Sequence, residues 1–387
     1  MAALQECARL LAVEQRMHVI TAAEAQQAKA RVRRAAEQLC DPAMQRLEVR
    51  ARKAGWVSCT LSCSLNVAAL RQLQRDKGDT PLAPDPSARG RSRVSTYSTA
   101  IDALIGAALE HESGETRLRV DYQFSQLGRD LITAGHISGC REQAIGVDPF
   151  KFPAEIRQAA FDGMGWEADD NAAYPRARVA MVAEGRAESA FLIVHREDIM
   201  RKFADYLFPT LDWQAQRKRM KGVINGLDMD SGLDAWRAKY DGDRGKTLVN
   251  KHVRLACGRP YSLATYQRAQ RKGTAWMAAA SPRMLAYVTQ SMSPADRRQG
   301  KKPELRLKSY LLQEAEAVSR AAKVAWASEH GVRVTSLQHD GVMLDSLPDG
   351  LEADEVAEQL GMCASRAAGY EVVVETKRIA RPPAVVD

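Results

Sequence analysis

The sequence has no run of about 18 apolar residues of the kind that crosses a bilayer, and no charged-then-apolar leader ending in small residues. These absences predict a folded protein of the cytoplasm or another internal compartment, not secreted and with no membrane partner. Internal repeats are missing too. Proline is nearly absent from the first 75 residues, where Pro42 stands alone. The seven cysteines, Cys7, Cys40, Cys59, Cys63, Cys140, Cys257 and Cys363, are odd in number and scattered, which speaks against a disulfide scaffold. Cys59 and Cys63 could offer two zinc ligands, but no second Cys or His pair stands at a matching distance, so they read as small buried side chains.

What is present is an ordinary globular composition, 45% hydrophobic over 387 residues, enough for one large core or two to three subdomains. Lys and Arg number 56 against 48 Asp and Glu, a net +8 that favours polyanionic partners. Their distribution says more. Arg217-Lys218-Arg219-Lys221, Arg268-Arg271-Lys272 and Arg297-Arg298-Lys301-Lys302 are three basic clusters, and together they fit a phosphate-lined channel better than unrelated solvated helix faces.

Residues 1 to about 75 read as helices, with apolar residues recurring at three and four. The stretch 77–93 (KGDTPLAPDPSARGRSR) carries three prolines and reads as an exposed loop. A helix around Tyr97–Leu109 follows, then candidate strands near Arg117–Phe124, Gly165–Asp169 and Phe191–His195. Residues from about Arg201 to Arg320 read as mostly helical and basic, and Val332–Leu337, Val342–Leu344 and Tyr370–Lys377 as strands. Strands bracketing a helical insertion predict an α+β fold.

Ile156-Arg157-Gln158-Ala159-Ala160-Phe161, followed by Glu167-Ala168-Asp169, resembles motif A of family A DNA polymerases. After Asp169 the pattern is closer to family B, with Tyr174 five and Pro175 six positions on. In those DNA polymerase families the residue at the Tyr174 position closes over the sugar C2′, so the resemblance implies a preference for deoxynucleotides. Asp169 and Asp170 are both acidic, and alternate strand residues point to opposite faces. The Tyr-Pro offset and the preceding alanine select Asp169, with Asp170 the alternative.

Val332–Leu344 reads as two apolar strands joined by a turn bearing His339-Asp340-Gly341, a hairpin with a carboxylate at its tip. It resembles motif C of family A and of the single-subunit RNA polymerases, where His-Asp is followed by glutamate or serine; Gly341 departs from both. The resemblance implies two Mg²⁺ ions, replaceable by Mn²⁺, held by Asp169 and Asp340, because such chemistry needs carboxylates from different strands around two ions about 3.5–4 Å apart.

Between them, Arg217-x-x-x-Lys221 matches the spacing of the family A fingers helix, and Lys221-x-x-x-Asn225-Gly226 resembles the family B core. Residues four apart share a helical face, so Arg217, Lys221 and Asn225 are candidates for binding the triphosphate, Lys221 nearest the scissile group. The aromatic residue expected at the end of that helix is missing, and Trp236 or Tyr240 are weak substitutes. Gln313, on the helix before motif C, resembles a family A residue that touches the primer–template minor groove; His339, Arg157 and Arg129, the last within Gly128-Arg129, are further nucleic-acid contacts by resemblance. Gly245-Lys246-Thr247 lacks the glycine of a Walker loop.

The four motifs occur in the required order. They imply a right-hand polymerase: an antiparallel-sheet palm from 116–184 and 306–387, basic helical fingers from 185–305, and a helical thumb-like or template-binding region over 1–115. No exonuclease motifs are found. The expected activity is template-directed DNA synthesis on a primer–template (or RNA) with nucleoside triphosphates. The alternatives are a DNA-templated RNA polymerase or primase, a non-catalytic nucleic-acid-binding protein, and a two-metal nuclease.

Overall fold

The computed structural model describes residues 57–82, 96–110, 115–147, 152–229, 251–338 and 340–380. The chain divides into two compact units, Met1–Val57 and Ser58–Asp387, and the second carries the architecture below. The expected helices of residues 1–56, residues 83–93 of the expected loop, Trp236, Tyr240 and His339 lie outside the described residues.

The first sheet centres on β3 (Thr116–Phe124), with β1 (Val57–Ser64) on one side and β2 (Leu109–Glu110) and β4 (Glu142–Ile145) also paired to it. Residues 57–64 thus correct the helical reading of the region to about 75. Small and β-branched side chains (VSCTLSCS) suit a pleated edge, and the helix starts only after Asn66, whose side chain accepts from Ala69 N at 3.0 Å. That helix, α1 (Val67–Lys77), packs with α2 (Tyr97–Ala107) and α4 (Ala154–Ala160) on Leu70, Ile101, Leu104, Leu118, Ile156 and Phe161. The helix α3 (Gln126–Thr133) lies between β3 and β4 in sequence.

After β5 (Trp166–Asp170) come four helices, α5 (Ala173–Met181), α6 (Arg186–Val194), α7 (Arg196–Leu207) and α8 (Trp213–Asp228). The expected strand Phe191–His195 is instead the end of α6; a short apolar run has no period that separates a strand from a buried helix turn. On α8, Met220, Val223, Ile224 and Leu227 recur at helical spacing and are fully buried, while Asp212 caps its start through Ala215 N at 2.9 Å. The helices α6, α7 and α8 share a core with Tyr261, Leu263 and Tyr266, supplied by the short hairpin β6 (Val253–Arg254) and β7 (Pro260–Tyr261) and by α9 (Leu263–Ala280).

Two short helices, α10 (Pro282–Gln290) and α11 (Pro294–Arg298), lead to the 27-residue α12 (Pro303–Glu329). Then follow β8 (Val334–Leu337), β9 (Val342–Leu344), α13 (Ala353–Ala368) and β10 (Val374–Arg378). The second sheet has the order β10-β5-β9-β8 and is antiparallel throughout. One of its faces is covered by α12 and α13, through Ala168, Trp326, Val342, Leu344, Val356, Leu360 and Val374.

The two sheets are joined by Tyr122 of β3. Its hydroxyl lies 2.9 Å from Ser336 Oγ and accepts from Leu337 N at 3.2 Å, and its side chain is buried. Tyr122→Phe is expected to lower stability by about 1–3 kcal/mol, because the half-buried Leu337 N–H loses its acceptor; urea unfolding of the two proteins measures it.

Candidate active site

The register of the second sheet brings two acidic segments together. Asp169 and Asp170 end the central strand β5, and the β8–β9 turn carrying Asp340 lies beside it, because Ala168 pairs with Val342. The two aspartates of β5 then part. Asp170 accepts from Ser319 Oγ at 2.9 Å and Lys323 Nζ at 2.6 Å, both on α12, so its side chain is almost fully buried. Asp169 points the other way, is partly exposed, and has Lys377 Nζ 3.7 Å from Oδ2; its Oδ1 is buried without a hydrogen-bond partner.

The hairpin tip is held from behind by two cations three residues apart on α12. Lys323 Nζ donates to Asp340 O at 2.6 Å and Arg320 Nη1 to Gln338 O at 3.3 Å. Each has its own counter-charge, Asp170 for Lys323 and Glu142 for Arg320. From the front, Gly341 lies against β5: a Cβ there would run into Asp169 Oδ1 and stand 2.7 Å from Ala168 O. The glycine that departs from the motif C pattern is therefore a packing requirement of this site.

A cavity of about 490 Å³ opens over these groups. Asp169, Asp170, Asp340, Glu375 and Lys377 line one wall, and Arg217, Lys221, Asn225 and Asp228, one face of α8, line another. Tyr174, Arg196, Arg141 and Glu316 also line it. Six residues singled out in the sequence, Asp169, Asp340, Tyr174, Arg217, Lys221 and Asn225, thus share one cavity. Arg217 is gripped by Glu197 at 2.7 Å. Burial, then Arg196 and Arg217, depress the Lys221 pKa below the usual lysine range.

Other candidates sit outside the cavity lining. Arg129 donates to Gln126 Oε1 at 2.6 Å on α3, and Arg157 faces Glu167 at 3.5 Å. Gln313 is one step removed: its Oε1 accepts from Arg141 N at 3.4 Å. Sequence reasoning missed Arg141, Arg196, Glu316, Arg320, Lys323 and Lys377. A periodic signal existed for three of them, since Glu316, Arg320 and Lys323 fall at the spacing of the buried face of α12, where charged residues are rare unless paired.

Magnesium takes hard oxygen ligands and needs only one or two carboxylates from the protein. Asp169 and Asp340 offer such a donor set, and the unpartnered Asp169 oxygen suits a cation. Among the described residues no cluster of three or more His, Cys, Asp or Glu is placed to hold a metal, and no helix is long and apolar enough to cross a membrane.

With this geometry established, comparison with known proteins bears on the fold. No protein-family model matches the sequence, and no curated protein does. Among solved structures, the chain is similar to the POL domain of Pol1 from M. smegmatis, determined in complex with DNA primer-template and dNTP. The TM-score is 0.50 at 12% identity, covering 82% of this chain and 67% of that one. The fold is similar to that of a DNA polymerase domain.

Burial, then the negative charges of Asp340 and Glu167, push the Asp169 carboxyl up from 3.8 to about 6. A folded pKa above the unfolded value means that stability is full below about 3.8 and is lost as pH rises through about 6. Asp169→Asn is therefore expected to exceed wild type by about 1–2 kcal/mol near pH 8, after discounting for partial exposure, and to lose that advantage near pH 4; denaturant titrations at both pH values test this. Gly341→Ala is expected to fold but to lose about 100-fold or more in whatever reaction the cavity carries out, since a displacement near 1 Å at a catalytic group has that scale of effect.

Proposed function

We propose that this protein is a template-directed nucleotidyltransferase, a DNA polymerase that extends a primer on a template using deoxynucleoside triphosphates. The observation that carries the reading is the meeting of Asp169 and Asp340, from neighbouring segments of one antiparallel sheet, across a cavity from the cationic face of α8. The likeness in fold to a polymerase domain supports it. Residues 116–184 and 306–387 would form the palm and 185–305 the fingers of a right-hand architecture, with residues 1–115 thumb-like or template-binding.

In this mechanism Asp169 and Asp340 would hold two Mg²⁺ or Mn²⁺ ions, which would supply charge neutralisation to the attacking and leaving oxygens. Arg217 and Lys221 hold the triphosphate, and the Lys221 ammonium stabilises charge on the leaving group. Asn225, one turn further along the same face, orients the nucleotide. Arg196 adds a third cation to this wall. Tyr174 closes over the sugar, and Gln313, adjacent to the cavity through Arg141, touches the minor groove of the primer–template. Arg129 and Arg157, which lie outside the cavity lining, are assigned to nucleic-acid contacts, as is His339.

The test is extension of a labelled primer on a DNA template by wild type and Asp340→Asn, with Mg²⁺ and either dNTPs or NTPs, resolved by product length. Extension with dNTPs by wild type alone is expected, the variant falling by about 1,000-fold or more. Extension restricted to NTPs would make the protein an RNA polymerase or primase. Equal extension by both proteins would remove Asp340 from the site, and shortening of DNA without nucleotides would indicate a nuclease.

A further inference from the structure

The cavity contains an ion pair that the reaction described above does not use. Arg141, just before β4, sends Nη2 to both oxygens of Glu316 on α12, at 3.1 and 2.8 Å, and the same nitrogen donates to the Tyr174 hydroxyl at 2.8 Å. Three segments far apart in sequence meet at this one nitrogen. Glu316 is 4% exposed, so its charge is taken out of water, and burial pushes its pKa up to about 7 against the pull of Arg141.

Burying such a pair gains little stability over an apolar contact of equal size. What the pair does provide is direction. Tyr174 stands in the first turn of α5, two residues after Ala172, whose φ of 55° turns the chain sharply out of β5. The tyrosine ring is only partly enclosed, packing against one side of a core that includes Leu127, Ala177 and Leu312. Its outer end faces the cavity, and there the hydrogen bond from Arg141 is what fixes the phenol. The arginine is fixed in turn, by Glu316 on its side chain and by Gln313 Oε1 on its backbone N–H.

We propose that Arg141 and Glu316 set the sugar selectivity of the site, as positioning residues that make Tyr174 a rigid wall. The proposal rests on the reading of the cavity as a nucleotide site with Tyr174 against the sugar. A wall free to swing by a fraction of its own width would admit the additional 2′-hydroxyl of a ribonucleotide; a wall pinned by an ion-paired arginine excludes it. The pair acts on the sugar through Tyr174, so its loss changes the ratio of deoxynucleotide to ribonucleotide use.

The experiment is single-turnover incorporation of one dNTP and its matching NTP, with kcat/KM measured for each, by wild type, Tyr174→Ala, Tyr174→Phe, Arg141→Lys, Glu316→Leu, Glu316→Gln and the double variant Tyr174→Ala/Glu316→Leu. Tyr174→Ala is expected to lower discrimination by about 100-fold or more, and Tyr174→Phe, Arg141→Lys and Glu316→Leu each by about tenfold. Glu316→Gln, which keeps an acceptor for Arg141, should fall between wild type and Glu316→Leu. The double variant should discriminate no worse than Tyr174→Ala, because the two act in series.

If Glu316→Leu and Arg141→Lys slow both nucleotides in equal proportion, the pair is structural only and the proposal fails while the sugar-wall reading stands. If Tyr174→Ala leaves discrimination unchanged, the sugar-wall reading itself fails, and the proposal with it. Tyr174→Phe removes only one oxygen atom, so it reports on the same hydrogen bond should a charge variant not fold; unchanged discrimination in that variant overturns the proposal as well.

Discussion

Lys323 has no solvent-exposed side-chain surface, and its ammonium group joins the Asp170 carboxylate of β5 to the main-chain carbonyl of Asp340. An unpaired charge in that position would be prohibitively costly, so the lysine, the aspartate and the hairpin tip are constrained to come together. Arg320, one turn earlier, applies the same constraint to Gln338 O and draws its counter-charge from Glu142 on the other sheet. The turn that bears Asp340 is therefore clamped by its backbone, and its side chain is left available to the cavity.

The clamp also explains why one aspartate of an adjacent pair is committed and the other is not. Asp170 spends its charge on Lys323, whereas Asp169, on the opposite face of the strand, meets Asp340 and Glu167 and retains an unpartnered oxygen. Crowding of negative charge on the sheet is matched by the positive face of α8 across the cavity. Such an arrangement raises the free energy of the empty fold and is compensated by what binds there, a common feature of functional sites. Arg141 and Glu316 extend the same economy of buried charge to the wall that holds Tyr174.

Much of this was legible in the sequence, for reasons that are local. β3 announces itself through alternation, β9 through a short β-branched and apolar run and α12 through helical periodicity, and the Arg217, Lys221, Asn225 spacing requires one helical face whatever the surroundings. Phe191–His195 and residues 57–64 take the state opposite to the expected one, the first because four apolar residues and a histidine carry no distinguishing period and the second because small and β-branched side chains replace the Ala- and Arg-rich sequence before it. Arg129 and Arg157, named by resemblance alone, stand beside Gln126 and Glu167, outside the cavity lining.

By itself, then, the sequence determined which residue types occur, in what order, and on which face of each helix or strand they stand. Tertiary structure alone decided which of Asp169 and Asp170 faces α12, that Gly341 must lack a side chain, and that Glu316, Arg320 and Lys323 are buried partners of the site. The physical reason is separation along the chain. The ion pairs in question link residues 153 to 178 positions apart, and although Lys323 stands at the spacing of the buried face of its helix, nothing local names its partner until the strand carrying the aspartate arrives beside it.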